Sequence, residues 1–425
     1  MASQAASSSG AGNRVVIAIA GVVMQVALGA VYAWSVFSDP LSQQYGGASA
    51  TAVNLTFSIT IFTLGFAAFV GGLWMGGSGP RIVALTAGVL YGVGIFLASF
   101  AGNSLTLLYL TYGFIAGAGI GLGYIVPVAT LIKWFPDKRG FITGIAVAGF
   151  GGGAFVTAFI ANALVASMGV FPTFAVLGIV YLVMVVGAAL FMRNPPEGWK
   201  PEGWEPEESE GGDRSGVDYD LGGALRTWQW YALWALLFLN VSAGISIITE
   251  AAPMAEEIAG VSATVAAGLV SIISVGNALG RFFWAWLSDA IGRKWVFVVM
   301  FLLQAVLFFV LPLVSVYFLL AIVSFVIVSC YGGGFGTMPA FNADYFGAAN
   351  VGKIYGLMLT AWSVGGVLGP LLISRVIDTT DSYTLAFYII AAIMIGSAVV
   401  AFFVRPPRRP EEAEARTGDT AGARA

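Results

Sequence analysis

The chain has 425 residues, of which 58% are hydrophobic and only 10% charged, with a net charge of −3, one cysteine and no histidine. Soluble domains carry about 25% charged residues, so this composition, with a mean hydropathy of +0.88, excludes a water-soluble protein of this size. It also speaks against a nucleic-acid partner, an internal disulfide framework and a histidine proton shuttle or metal ligand; no metal and no cofactor is expected.

A Ser/Ala/Gly tail over 1–13 precedes the first apolar stretch, 15–37. That stretch is too long for a signal-peptide core and no cleavage-like boundary follows, so it reads as a retained helix. A bilayer core of about 30 Å takes ~20 apolar residues per helix. Such stretches recur at 52–75, 82–101, 105–132, 140–166 and 170–192, then at 228–250, 262–288, 295–315, 317–341, 353–376 and 383–404. Lipid offers no partner to an unpaired backbone group, so helices must fill them. The expected fold is an all-α membrane protein of twelve transmembrane helices in two six-helix halves, 1–192 and 228–404. Between them lies a Pro/Gly/Glu-rich cytoplasmic loop, 193–227, and after them a charged tail, 405–425, expected to be disordered. With both termini in the cytoplasm, every Lys and Arg except Arg281 and Arg375 falls on that side, as the positive-inside rule requires. Short loops and no targeting signal fit a bacterial inner membrane.

The halves echo each other. The fourth stretch runs into GYIVPVATLIKWFPDKRGFITGI (Gly123 to Ile145) and the tenth into GFGTMPAFNADYFGAANVGKIYG (Gly334 to Gly356). Both are followed by glycine-rich helices, AGFGGGAF and WSVGGVLGP, whose small residues suit close helix contacts. Repeated halves place a substrate site at their interface near the midplane.

Arg281 lies inside the eighth stretch, roughly 10 Å from the boundary at about 1.5 Å per residue. An arginine there costs at least about 2.5–3.5 kcal/mol and must face a watery cavity or a partner. No acid stands at its depth: Glu250, Glu256, Glu257 and Asp39 are placed at the outer side, Asp289 and Asp344 at the cytoplasmic side. An unpaired guanidinium in a cavity is a site for a small organic anion, gripped through parallel hydrogen bonds; a snorkelling structural arginine is the alternative. Asn277 shares its face one turn earlier and can bond a substrate or orient the guanidinium, or else serve a helix contact. Tyr32, Tyr124, and Tyr331 with Phe335 are candidate linings, with Leu28 one turn from Tyr32; each could equally be packing. Gln25 is a polar residue of the same standing. No nucleophile–base pair or HExxH pattern is present, so no enzyme is expected.

The loop WLSDAIGRKW (Trp286 to Trp295) resembles the loop signature of the major facilitator superfamily. The runs WFPDKRGFITGIAVAGFGGGA (Trp134 to Ala154) and LGAVYAWSVF (Leu28 to Phe37) resemble its oxalate/formate antiporter branch and the related monocarboxylate transporters. The resemblance implies a cytoplasmic conformational clamp of Asp289, Gly292, Arg293 and Lys294. It implies that Arg281 binds a substrate carboxylate and that apolar and tyrosine side chains of the first, fourth, tenth and eleventh helices close over it. The antiporter's second cation, a lysine in the eleventh helix, has no counterpart; Trp362 stands near its expected place. One cation suits one carboxylate, so the expected activity is transport of an L-lactate- or pyruvate-like monocarboxylate by alternating access. A proton is the candidate co-substrate, although the aspartate tied to proton coupling in those transporters is here the neutral Asn277. The alternative is an oxalate/formate-type anion exchanger.

Overall fold

The computed structural model describes residues 2–46, 50–204, 217–380 and 382–407. Among these residues, twelve helices are long and apolar enough to cross a membrane. In chain order they are α1 (Arg14–Ala33), α2 (Ala52–Ser78), α3 (Pro80–Ala98), α4 (Leu105–Trp134), α5 (Arg139–Met168) and α6 (Val170–Ala189), then α7 (Trp228–Ala251), α8 (Gly268–Ile291), α9 (Arg293–Leu313), α10 (Tyr317–Phe346), α11 (Val351–Ile373) and α12 (Tyr383–Phe403). Each overlaps its expected stretch, and the described residues contain no strand. The helix of α1 reaches back to Ala2, through the Ser/Ala/Gly tail, because no proline interrupts that run. Most of the C-terminal tail, from 408 on, and the acidic part of the central loop, 205–216, lie outside the described residues. An even number of crossings leaves both chain ends on one face, called here the termini face.

Two irregularities position the site. At Gly29–Ala33, α1 tightens into a 3₁₀ turn that carries Tyr32. Gly29 lies against the backbone carbonyl of Phe150 in α5, where any Cβ would collide. In α11 the helix breaks at Leu359, between Val351–Met358 and Thr360–Thr380, just before Trp362.

The halves meet through small residues, which let backbones approach. Gly140, Gly144 and Gly151 of α5 lie against Ala285, Phe282 and Arg281 of α8, and Gly65 and Gly72 of α2 against Ser363 and Gly352 of α11. The Ser363 hydroxyl lies 3.0 Å from the Ile61 carbonyl and 3.1 Å from that of Phe62.

At the termini face an ionic cluster joins the halves. Asp344, at the end of α10, is buried and accepts from Arg139 Nη1 at 2.8 Å and Arg293 Nε at 2.9 Å. Asp289 pairs with Arg293 Nη2 at 2.6 Å. It also accepts from the N–H groups of Gly140 (3.0 Å) and Phe141 (2.7 Å) at the start of α5, where a carboxylate complements the positive end of the helix dipole. Of the residues expected to form a clamp, Asp289 and Arg293 belong to this ionic cluster. Lys294 stands apart, its Nζ 5.1 Å from the Trp295 ring centroid and 5.6 Å from that of Phe402. Arg139 and Asp344 complete the cluster.

Candidate functional site

Glycine rungs set the position of Arg281. Gly276 and Gly280 of α8 rest on the backbone of Phe325 and Ser329 in α10, and Gly332 and Gly336 of α10 rest on that of Asn277 and Arg281. Four-residue spacing on both helices makes one continuous small face, which holds α8 against α10 at the level of the guanidinium.

The Arg281 side chain is fully buried. Its Nε donates to Asn277 Oδ1 at 3.0 Å and its Nη1 to the Val147 carbonyl of α5 at 3.4 Å. Nη2 has no hydrogen-bond partner. Among the described residues no carboxylate pairs with it. Its nearest surroundings are rings: Phe335 at 5.1 Å, Phe150 at 5.7 Å and Tyr32 at 5.9 Å from the guanidinium carbon, distances at which a ring face attracts a cation.

These rings belong to one aromatic cage between the halves. Trp362 lies 4.8 Å from Phe335, 5.8 Å from Tyr124, 5.9 Å from Phe150 and 6.3 Å from Tyr32, centroid to centroid. Phe150 packs edge-on to Tyr32 at 5.5 Å and to Tyr124 at 5.1 Å, and Tyr331 lies 5.2 Å from Phe335. The hydroxyls of Tyr32, Tyr124, Tyr331 and Tyr355 and the indole N–H of Trp362 are buried without a hydrogen-bond partner, as is Arg281 Nη2. Each can donate. A buried donor left unsatisfied costs about 1–3 kcal/mol, so this enclosure is complementary to a ligand made of acceptors with net negative charge.

Seven of the eight residues expected to line a site are thus brought together: Arg281, Asn277, Tyr331, Phe335, Tyr124, Tyr32 and Trp362. Leu28 is buried one step behind, its side chain against Gly123, next to Tyr124. Phe150 and Tyr355 were not foreseen. Phe150 is marked in the sequence only as a bulky ring inside the glycine-rich run AGFGGGAF. Tyr355 lies in the first helical piece of α11, before its break, and nothing local marks it.

Two buried amides brace the tyrosines from behind. Gln25 Nε2 donates to the Tyr124 carbonyl at 3.2 Å, and Asn240 Nδ2 to the Tyr331 carbonyl at 3.1 Å. They open the runs QVALG (25–29) and NVSAG (240–244), at like positions in α1 and α7, a further trace of the repeat. Asn240 is held in turn by Gln304 Nε2 at 3.2 Å.

The profile of the family described as Major Facilitator Superfamily matches residues 14–274 and, in a second stretch, 233–424. The oxalate:formate antiporter of Oxalobacter formigenes is 28% identical over 402 residues, 93% of this chain and 92% of the antiporter. Monocarboxylate transporter 12 of Rattus norvegicus is 26% identical over 358 residues, 76% of this chain and 71% of that protein. A crystal structure of the major facilitator transporter FucP in the outward conformation superposes with a TM-score of 0.71 at 16% identity, covering 91% of this chain and 98% of that one.

Proposed function

The chain belongs to the major facilitator superfamily of membrane transporters, and we propose that it carries a small monocarboxylate of the size of L-lactate or pyruvate by alternating access. The observation behind this reading is Arg281, fully buried with one unpaired guanidinium nitrogen and, among the described residues, no carboxylate to neutralise it. The substrate carboxylate supplies the missing charge and the missing acceptors together. The middle of α11 offers Trp362 and no second cation, which favours one carboxylate over two. Similarity to proteins named for oxalate, formate and monocarboxylates supports a carboxylate cargo.

The halves 1–192 and 228–404 rock about this site. The cluster of Asp344, Arg139, Arg293 and Asp289 opens and closes the termini face, which we assign to the cytoplasm of a bacterial inner membrane. No histidine exists in the chain and among the described residues no acid pairs with Arg281, so a coupled proton travels with the substrate or its hydration. The same observation favours a second reading, anion exchange. An empty carrier must close around a bare cation, which low dielectric opposes, so return without an anion is slow.

Uptake of labelled L-lactate into proteoliposomes, with and without an inward proton gradient, tests both. Uptake that rises with the gradient and falls about a hundredfold or more in Arg281→Ala supports proton-linked transport. Lactate uptake only against an internal anion supports exchange. Absence of lactate uptake, together with exchange of oxalate for formate, overturns the monocarboxylate reading.

A further inference from the structure

The repeat produces a second crossing of the halves at the termini face, and its charge is reversed. Gly79 opens α3 and Gly292 opens α9, at φ of 78° and 90°. Counted back from these two, Gly72 corresponds to Ala285 and Gly76 to Asp289. The contacts agree: Gly140 lies on Ala285 and Gly144 on Arg281, as Gly352 lies on Gly72 and Gly356 on Ala68. The α2–α11 crossing is therefore the counterpart of α5–α8.

At α5–α8 the carboxylates of Asp289 and Asp344 hold Arg139 and Arg293. At α2–α11 the place of Asp289 falls to Gly76. Lys133, before Trp134 and Phe135, stands where Asp344 stands before Tyr345 and Phe346. Val351 and Pro80 take the places of the two arginines. Lys353 adds a further cation, for a Cβ at Gly76 would lie 3.1 Å from its Nζ. Ala129 faces Gly352, and Lys133 is one turn further along that face, so the two ammonium groups stand at one mouth. Both lysines are half-buried, and among the described residues neither forms an ion pair. Asp218 of the central loop acts on Lys133 through its field, but its carboxylate accepts from the Ala349 N–H at 3.0 Å. Two cations against one acid leave the mouth positive. Polar groups lead from it toward the cage: Thr130, on the helix of Lys133, and Tyr355, on that of Lys353, have buried hydroxyls without hydrogen-bond partners.

We propose that Lys133 and Lys353 form a second anion site, at the termini-face mouth between α4 and α11, which holds a small carboxylate on its way between solvent and Arg281. Its ligand rests on the carboxylate reading above. A half-buried cation without a counter-ion attracts an anion more strongly than a solvated one, because the local dielectric is lower, and a mouth of one sign concentrates its ligand. The α5–α8 crossing, where two acids offset two arginines, exerts no such pull.

Amine labelling of the full-length protein in lipid nanodiscs, read by mass spectrometry, tests the site, with exposed Lys138 as internal reference. L-Lactate at twice its Kd is expected to slow labelling of Lys133 and Lys353 about threefold and to leave Lys138 unchanged. The slowing persists in Arg281→Ala, which lacks the cation of the cage. In Lys133→Gln the slowing at Lys353 falls below about 1.5-fold, while Lys133→Arg retains it. Slowing that disappears in Arg281→Ala would mean that the lysines are covered by closure around the cage, and overturns a separate site. Slowing by phosphatidylglycerol nanodiscs over phosphatidylcholine ones, with none by lactate in either, assigns the lysines to a lipid phosphate and also overturns it. No slowing at all, with Arg281-dependent lactate uptake intact, overturns the site and leaves the transport reading. Slowing without any Arg281-dependent uptake of a carboxylate leaves the site and overturns that reading.

Discussion

The two halves contribute differently to the same cage. The C-terminal half supplies the charge, Arg281, together with Asn277, Tyr331, Phe335, Trp362 and Tyr355. Among the described residues, the N-terminal half supplies neutral groups to the cage: Tyr32, Tyr124 and Phe150, and the carbonyl of Val147 that accepts from Arg281 Nη1. Yet the two share a scaffold device, an amide at the start of QVALG or NVSAG that bonds the carbonyl of a cage tyrosine. The repeat kept the support and diverged in the chemistry. A cation held by one half and enclosed by the other makes closure of the halves depend on what sits between them.

The largest expected effect breaks the join between the halves. Asp344 holds Arg139 from the N-terminal half and Arg293 from its own. Asp344→Asn leaves both guanidinium groups without that partner, at a cost of about 3–5 kcal/mol for a buried pair. The termini face is then expected to open. Spin labels at the exposed positions Lys138 and Ile291, in a background with Cys330 replaced by Ser, should report a longer distance as the dominant population. Arg139→Gln removes only the bond across the halves and leaves Asp344 paired with Arg293, so it should lengthen the distance in a minor fraction. An unchanged distance in both variants would show that the cluster does not set this equilibrium.

A medium effect displaces the charge within its own half. A Cβ at Gly336 would run into the Arg281 backbone carbonyl, and overpacking of this kind costs about 1–3 kcal/mol. Gly336→Ala should lower the melting temperature of the purified protein and weaken carboxylate binding about tenfold through the shifted guanidinium. Unchanged affinity in a folded variant would mean that α8 relaxes without moving Arg281.

The smallest effect asks whether the two amide braces are equivalent. Gln25→Leu and Asn240→Leu each remove one side chain to backbone hydrogen bond, worth about 0.5–1.5 kcal/mol. Asn240→Leu also strips Gln304 Nε2 of its acceptor, so it should be the more damaging of the two. Both should raise KM for the transported acid by about three- to tenfold while leaving the maximal rate close to wild type. A loss of maximal rate with KM unchanged would assign the amides to the moving scaffold instead.

Much of the site was legible because membrane chemistry is local. An arginine inside an apolar stretch needs no neighbours to be noticed, and Asn277, one turn before it, is found by helical spacing alone; the structure joins them at 3.0 Å. The clamp was legible by half. Asp289 and Arg293 flank one short turn, four residues apart, but Asp344 and Arg139 are 205 residues apart, and no periodicity records that pairing. Lys294 was included by its place in the motif, yet the first turn of α9 directs it onto Trp295 and Phe402.

The sequence by itself determined the class of the protein, the number of helices and the presence of one interior cation without an acid at its depth, because each follows from the cost of placing polar groups in lipid, paid residue by residue. Only the tertiary structure decided what surrounds that cation. The Val147 carbonyl lies 134 residues from Arg281 in the chain, and Phe150, Trp362 and Tyr355 come from helices of both halves. Their meeting depends on glycine faces, the 3₁₀ turn in α1 and the break in α11. Those features fix how closely and at what angle whole helices pass, a quantity that no stretch of chain carries alone.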